Sequence, residues 1–160
     1  MEREILVVDT DPGARAALCG LLEREGFVAR GAPDGDAGYA MARRHAPDLV
    51  ISEIYLPGGG WPCVVRAIKR DPLLGALPLL VYTSQGGPDD VQWALSGGCD
   101  GFIVKPGLAQ DVLREVRRLL ESRPSAAQRE RGPDRRARSP DGTLGAGGAR
   151  GDGSQDAMLA

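Results

Sequence analysis

The chain has 160 residues, enough for one ordinary domain with a hydrophobic core and too few for two. Twenty Lys and Arg against 22 Asp and Glu leave a formal charge of −2, so no overall field directs the chain to nucleic acid or to an anionic membrane. Three widely spaced cysteines predict neither a zinc site nor a disulfide framework. No apolar run approaches the roughly 20 residues that cross a bilayer. Together these two observations favour a cytoplasmic location.

The first predicted strand is "EILVVD" at 4–9, a continuous apolar run suited to a strand covered on both faces. Pro12 opens the helix that follows, and Gly26 ends it. The second unit joins a weaker strand, "FVARGA", to a helix from Pro33 to His45. The apolar positions expected to face the core are Ala17, Leu18, Leu21 and Leu22 in the first helix and Ala37, Tyr39, Ala40 and Met41 in the second.

Three more units follow the same pattern. The strand "DLVISEI" precedes a glycine-rich turn and a helix predicted from Pro62 to Arg70. The strand "LPLLVYT" precedes Pro88 and the helix "DDVQWALS", and "DGFIVK" precedes the amphipathic helix "AQDVLREVRRLLE". Five alternating strands and helices within residues 1–122 predict an α/β domain with a parallel sheet.

Residues 123–160 differ in composition from the rest of the chain. They contain no aromatic residue, valine or isoleucine and are rich in Gly, Arg, Pro, Ser and Asp. Such a segment buries too little apolar surface to offset its chain entropy, so we predict a disordered tail. Its seven arginines against five acids suggest a nucleic-acid-binding arm as an alternative, but it shows no apolar periodicity for a DNA-binding helix-turn-helix domain.

Polar residues end several of the predicted strands. Because the carboxyl ends of parallel strands meet at one edge of the sheet, we expect these residues to form a common site. Acids, a hydroxyl and a lysine together suit a phosphoryl group and a divalent cation. The residues are Asp9, Thr10, Asp11, Glu53, Thr83 and Lys105.

Residues 4–121 resemble the receiver domain of bacterial response regulators. The resemblance is carried by "ILVVD" with an acid-rich turn, "PDLVISEIYLPGG", "LPLLVYTS" and "ALSGGCDGFIVKP". It implies a doubly wound, flavodoxin-like fold and a signalling module rather than an enzyme. It also implies histidine kinases or downstream proteins as partners, bound through helix four, strand five and helix five, with Trp93 and Phe102 on that face.

Two positions depart from the receiver pattern. The family accepts a phosphoryl group on a strand-three aspartate, and the matching residue is Glu53. The family also places two adjacent acids after strand one to hold Mg²⁺, and here they are Asp9 and Thr10. A neutral hydroxyl in place of a carboxylate weakens a magnesium site, so Asp9 and Glu53 are expected to hold Mg²⁺ only weakly. A longer acceptor also misplaces the reacting oxygen.

These departures leave three interpretations of Glu53. It forms a permanent ion pair with Lys105 in a fixed docking module, or it mimics the phosphorylated state with Lys105 and Thr83 as partners, or the chain is a conventional phosphorylatable receiver. The first two make a stand-alone, phosphorylation-independent module of two-component signalling. Thr83 and Phe102 match the pair that moves together when receivers are activated, so the resemblance predicts an intact switch.

An enzymatic alternative rests on "VVDTDP". A hydrophobic strand followed by D-x-D also opens the haloacid-dehalogenase-type phosphotransferases, with Asp9 as nucleophile and Asp11 as acid and base. Two features depart from that motif. The motif has Thr or Val two residues after its second Asp, where this chain has Gly13. Its paired metal-binding acids follow the lysine, whereas Asp89 and Asp90 precede Lys105.

Overall fold

The computed structural model describes residues 2–57 and 60–122. The predicted tail, 123–160, and part of the glycine-rich turn, 58–59, lie outside the described residues. The side chains of residues 60–63, including Trp61, are also outside the description.

The predicted α/β fold is confirmed. All five strands run parallel in one sheet, whose strands in spatial order are β2 (Val28–Ala32), β1 (Glu4–Val8), β3 (Leu49–Ser52), β4 (Leu79–Thr83) and β5 (Gly101–Val104). Strand β2 lies on one side of β1, and β3, β4 and β5 follow on the other side, as in a doubly wound flavodoxin-like sheet. Strands β1 and β3 are paired from Ile5 opposite Leu49 to Val8 opposite Ser52, so their carboxyl ends lie side by side.

Helices cover both faces of the sheet. They are α1 (Pro12–Arg24), α2 (Gly35–His45), α3 (Gly60–Arg70), α4 (Pro88–Gly97) and α5 (Ala109–Glu121). Buried side chains of α1 and α5 pack on one face, and those of α2, α3 and α4 pack on the other. Among the described residues, no helix combines the length and apolar character that crossing a membrane requires.

Two helices begin at residues other than those predicted. Helix α2 begins at Gly35 rather than Pro33, because the side chain of Asp34 accepts a hydrogen bond from the Ala37 amide at 2.8 Å and caps the helix. Helix α3 begins at Gly60, two residues before the predicted start at Pro62. A proline at the third helical residue is tolerated, since the first four N–H groups of a helix have no intrahelical acceptor.

Two predicted core positions are wrong, because Ala17 and Ala40 are exposed. On α2 the buried stripe runs through Gly38 and Ala42 instead. A Cβ atom at Gly38 would lie 2.8 Å from a methyl carbon of Val8, so the missing side chain lets α2 pack closely against β1. A pattern search for large apolar residues overlooks a contact made by glycine. The other predicted positions on α2 are partly buried against the core: Ala37, Tyr39 and Met41.

A buried carboxylate, Asp71, joins the end of α3 to α2. The Tyr39 hydroxyl donates to Asp71 Oδ2 at 3.0 Å and Arg43 Nη1 donates to the same oxygen at 2.6 Å. The Leu73 amide donates to Oδ1 at 2.8 Å. The hydrogen bond from Arg43 is the main reason why the pKa of Asp71 lies below its ordinary value. Asp71 therefore contributes stability as a carboxylate.

We expect Asp71→Asn to lower the melting temperature at pH 7. Because folding lowers the pKa of Asp71, its contribution is present above the unfolded value of about 3.9 and is lost as pH falls through the folded value. The difference in melting temperature between the native protein and the variant should therefore shrink below about pH 4. Asp36→Asn, at an exposed position in the first turn of α2, is the control and should change little. Equal effects of the two variants would contradict this role for Asp71.

Candidate functional site

Backbone hydrogen bonds fix the polar residues at the carboxyl edge of the sheet. The Glu53 amide donates to the Val8 carbonyl at 2.9 Å, which extends the pairing of β1 with β3 by one residue. The Lys105 amide donates to the Thr83 carbonyl at 2.7 Å and extends the pairing of β4 with β5 in the same way. The sheet thus presents the side chains of Asp9, Glu53 and Lys105 at one edge.

One ammonium group joins two carboxylates at this edge. Lys105 Nζ lies 2.5 Å from Asp9 Oδ2 and 3.3 Å from Glu53 Oε2. Asp9 is 6% exposed and Glu53 is 8% exposed, so both acids are withdrawn from water. An ion pair with a lysine offsets part of the desolvation cost of burying two carboxylates. We call Asp9, Glu53 and Lys105 the charged triad.

All four carboxylate oxygens of the triad accept a hydrogen bond. The second oxygen of Asp9 accepts from the Asp11 amide at 2.9 Å, and the second oxygen of Glu53 accepts from the Ile54 amide at 2.7 Å. The extra methylene of glutamate lets its carboxylate fold back onto the backbone of the next residue while still reaching Lys105. The triad is therefore satisfied by the chain itself.

The environment of Lys105 favours its charged form. Burial alone lowers the pKa of Lys105, but the hydrogen bond to Asp9 and the charges of Asp9 and Glu53 outweigh burial, so the pKa is raised. The ammonium also lies 5.3 Å from the centroid of the Tyr82 ring, within the range of a cation–π contact. Lys105 stays a cation throughout the physiological pH range.

Thr10 and Asp11 take no part in the triad. Thr10 is exposed. The carboxylate of Asp11 is the N-cap of α1 and accepts hydrogen bonds from the Gly13 and Ala14 amides at 2.8 and 3.2 Å. These hydrogen bonds lower the pKa of Asp11, and the one from the Ala14 amide has the larger effect. The sequence placed both residues at the correct edge but did not show that Asp11 would cap the helix.

Arg15 was not identified from the sequence. Its Nη1 donates to the Asp9 carbonyl at 2.6 Å and thereby holds the turn after β1. The stem of Arg15 crosses Gly31 of β2, where an added Cβ atom would lie 2.9 Å from Arg15 Cδ. A glycine in a strand is the one sequence signal for this close approach.

Comparisons with known proteins agree with this fold. Residues 5–117 match the model of the response regulator receiver domain. The chain belongs to this family. Receiver domains of two-component response regulators are signalling modules, not enzymes, and the helix-capping role of Asp11 also opposes the dehalogenase-type alternative.

Several relatives share a moderate sequence identity with this chain. Protein PilH of Pseudomonas aeruginosa is 28% identical over 116 residues, which cover 72% of this chain and 96% of that protein. The phosphate regulon transcriptional regulatory protein PhoB of Escherichia coli is 28% identical over 120 residues, and the chain spans about half the length of that relative, 52%. The structure of the chemotaxis response regulator CheY4 of Vibrio cholerae has a TM-score of 0.70 at 25% identity and is covered completely by 75% of this chain.

Thr83 and Phe102, the residues that the resemblance predicts to form the switch, lie in β4 and β5. Thr83 is fully buried at the end of β4, and its Oγ1 accepts a hydrogen bond from the Gln85 amide at 3.1 Å. Phe102 is half-buried in β5 and packs against the core beneath α3 and α4. Among the described residues, no hydrogen bond joins Thr83 to Glu53.

The loop after the acceptor strand is tied to α4. The Tyr55 hydroxyl donates to Asp90 Oδ1 at 2.6 Å, while Asp90 Oδ2 accepts from the Gly87 amide at 3.1 Å. The hydrogen bond to Asp90 is the main cause of the raised pKa of Tyr55. Sequence patterns give no signal for this contact, which joins residues 35 positions apart.

Receiver domains typically bind Mg²⁺ at the acidic edge, but the residues present here fit the ion poorly. The triad's four carboxylate oxygens already accept hydrogen bonds, and an ammonium lies against one oxygen of each acid. The described residues include no group of three or more His, Cys, Asp or Glu that could hold a metal ion. A magnesium ion at these oxygens would face the positive charge of Lys105.

We expect Lys105→Met to reduce the free energy of unfolding by about 1–3 kcal/mol, because two adjacent buried carboxylates lose the cation that they share. The contribution of Lys105 is fully present below its unfolded pKa of about 10.4 and disappears as pH rises through the raised folded value. Urea denaturation at neutral pH and above about pH 11 measures both effects.

The double variant Lys105→Met with Glu53→Gln is the control for this prediction. It removes one of the two repelling charges, so part of the lost stability should return. A loss in the double variant at least as large as in Lys105→Met alone would contradict the shared ion pair.

Proposed function

We propose that this receiver signals without phosphorylation, as a module with a permanently closed charged triad that acts through protein–protein contacts. The observation that carries the proposal is the position of the Lys105 ammonium, between Asp9 and Glu53. In this arrangement glutamate occupies the acceptor position and its carboxylate is already neutralised.

The geometry favours a fixed docking module over a mimic of the phosphorylated state. A mimic requires Glu53 to engage both Lys105 and the Thr83 hydroxyl. The second oxygen of Glu53 instead accepts from the Ile54 amide, and Thr83 accepts from the Gln85 amide. The switch hydroxyl therefore keeps a local partner, and Glu53 supplies no contact that would draw Thr83 inward.

Binding partners are proposed from the surface that receivers use. The face of α4, β5 and α5 carries exposed apolar side chains, among them Trp93 at 39% and Val104 at 45%. Exposed aromatic and aliphatic side chains on one face are typical of sites for transient protein contacts. We propose that a histidine kinase or a downstream signalling protein binds here, in the cytoplasm.

Incubation with acetyl phosphate and Mg²⁺, followed by intact-mass measurement, tests the proposal. We expect no phosphoryl adduct on the native protein, because a reacting oxygen misplaced by about 1 Å can slow transfer roughly 100-fold and Lys105 already holds the carboxylate. We expect an adduct on the double variant Glu53→Asp with Thr10→Asp, which restores the family's acceptor and its second metal-binding acid.

Two further variants make the result interpretable. Glu23→Asp, on an exposed position of α1, is a matched exchange away from the site and should stay unmodified. An adduct on the native protein that Glu53→Ala abolishes would overturn the proposal and make the chain a conventional receiver.

A further inference from the structure

A cleft of about 380 Å³ lies between α3 and α4, away from the charged triad. It is lined by Val65, Arg66, Lys69, Arg70, Trp93, Ser96 and Gly97. Val65 is buried and Trp93 is 39% exposed, so apolar surface lies between the polar rims. Three cations on one side and an indole on the other give the cleft a definite chemical character.

The cations of this cleft are only partly neutralised. Lys69 Nζ donates to the Leu77 carbonyl at 3.1 Å and lies 3.6 Å from Asp100 Oδ2, so its position is explained by the fold. Arg66 and Arg70 are exposed and form no ion pair with any described residue. The structure therefore presents two exposed guanidinium groups, with no ion-pair partner in the part of the chain that it describes, beside an exposed tryptophan.

Ordinary helix stability does not account for this arrangement. Cations in the last turn of a helix interact favourably with its dipole, which explains Lys69 and Arg70. Arg66 lies a full turn earlier. Its spacing of four residues from Arg70 places two like charges at neighbouring positions on the helix surface, where they repel each other slightly and an anion would relieve the repulsion.

We propose that the cleft between α3 and α4 binds an acidic segment of a partner protein that carries an apolar anchor residue. Carboxylates of the segment pair with Arg66 and Arg70, and the anchor contacts Trp93 above Val65. Arginine and tryptophan are enriched among the residues that dominate protein interfaces, and arginine recognises carboxylates in a bidentate manner.

The exposure of the polar groups that line the cleft favours a protein segment over a small anion. Sites for small ligands bury most of the ligand surface, typically 70–90%. Both arginines and the indole remain exposed to solvent, so a small anion would stay largely hydrated. A partner protein covers such a cleft with its own surface and excludes water from the ion pairs.

A synthetic peptide tests the proposal on the full chain. The probe is a peptide of about twelve residues with glutamates around a central pair of leucines. As a helix, a peptide of this length is longer than the two helical turns that line the cleft. The signal is the indole N–H resonance of Trp93, assigned by Trp93→Phe. We expect a saturable shift with a Kd below about 1 mM at low salt, weakening as salt is added.

Matched variants and a second peptide show whether the named residues are responsible. Replacing glutamate by glutamine in the peptide, or Arg66 and Arg70 by alanine, should each weaken binding about tenfold or more. If the alanine variant is not folded by circular dichroism, Arg66→Gln with Arg70→Gln keeps most of each stem and serves instead. Arg44→Ala, at an exposed position in the last turn of α2, should bind like the native protein.

Three results would overturn the proposal. The first is no shift of the Trp93 signal up to about 2 mM peptide. The second is a loss of binding in Arg44→Ala as large as in the variant without Arg66 and Arg70. The third is displacement of the peptide by inorganic triphosphate that binds more tightly than the peptide does. The last result would identify a small-anion site. The outcome does not depend on the acetyl phosphate experiment, since neither arginine contacts the charged triad.

Discussion

The ammonium of Lys105 is the group on which the arrangement of the site depends. Asp9 and Glu53 end neighbouring strands, and the pairing of β1 with β3 brings both carboxylates into the same poorly solvated region. Two buried carboxylates at such close range repel each other unless a cation lies between them. Lys105 supplies that cation from β5, across the ends of β4 and β3. The backbone amides of Asp11 and Ile54 then satisfy the remaining oxygens.

Our proposal depends on how the triad occupies the acidic edge of the receiver. A divalent cation and a phosphoryl group both use carboxylate oxygens, and here each of the four oxygens of Asp9 and Glu53 already accepts a hydrogen bond from the chain. The elements that respond to such chemistry elsewhere in the fold are nevertheless present. Thr83 is buried at the end of β4, Phe102 packs into the core, and Tyr55 ties the acceptor loop to α4 through Asp90. These residues therefore lie between the charged triad and the surface of α4 and β5, and under the function that we propose the triad itself stays closed.

Under the function that we propose, the domain acts through its surface. Two adjacent surfaces share Trp93: one carries the exposed apolar side chains of α4 and β5, and the other carries the exposed arginines of α3. Because α3 and α4 lie on the same layer, a partner that contacts the cleft also contacts an element of the usual receiver output face. The chemistry of the two surfaces differs, since one includes exposed aliphatic side chains and the other combines cations with an indole.

The sequence by itself determined the alternation of strands and helices, the placement of Asp9, Glu53, Thr83 and Lys105 at one edge, and the departure from the receiver pattern at position 53. These features depend on local periodicity, on proline and glycine, and on the rule that parallel strands end together. The pairing of Lys105 with Asp9 could not be predicted, because two strands separate β5 from β1 and only the packed sheet sets that distance. Asp11 as a helix cap, Arg15 over Gly31 and the burial of Gly38 in place of Ala40 were likewise decided by the tertiary structure. In each case the contact joins elements whose separation is fixed by packing, which no local pattern of residues specifies.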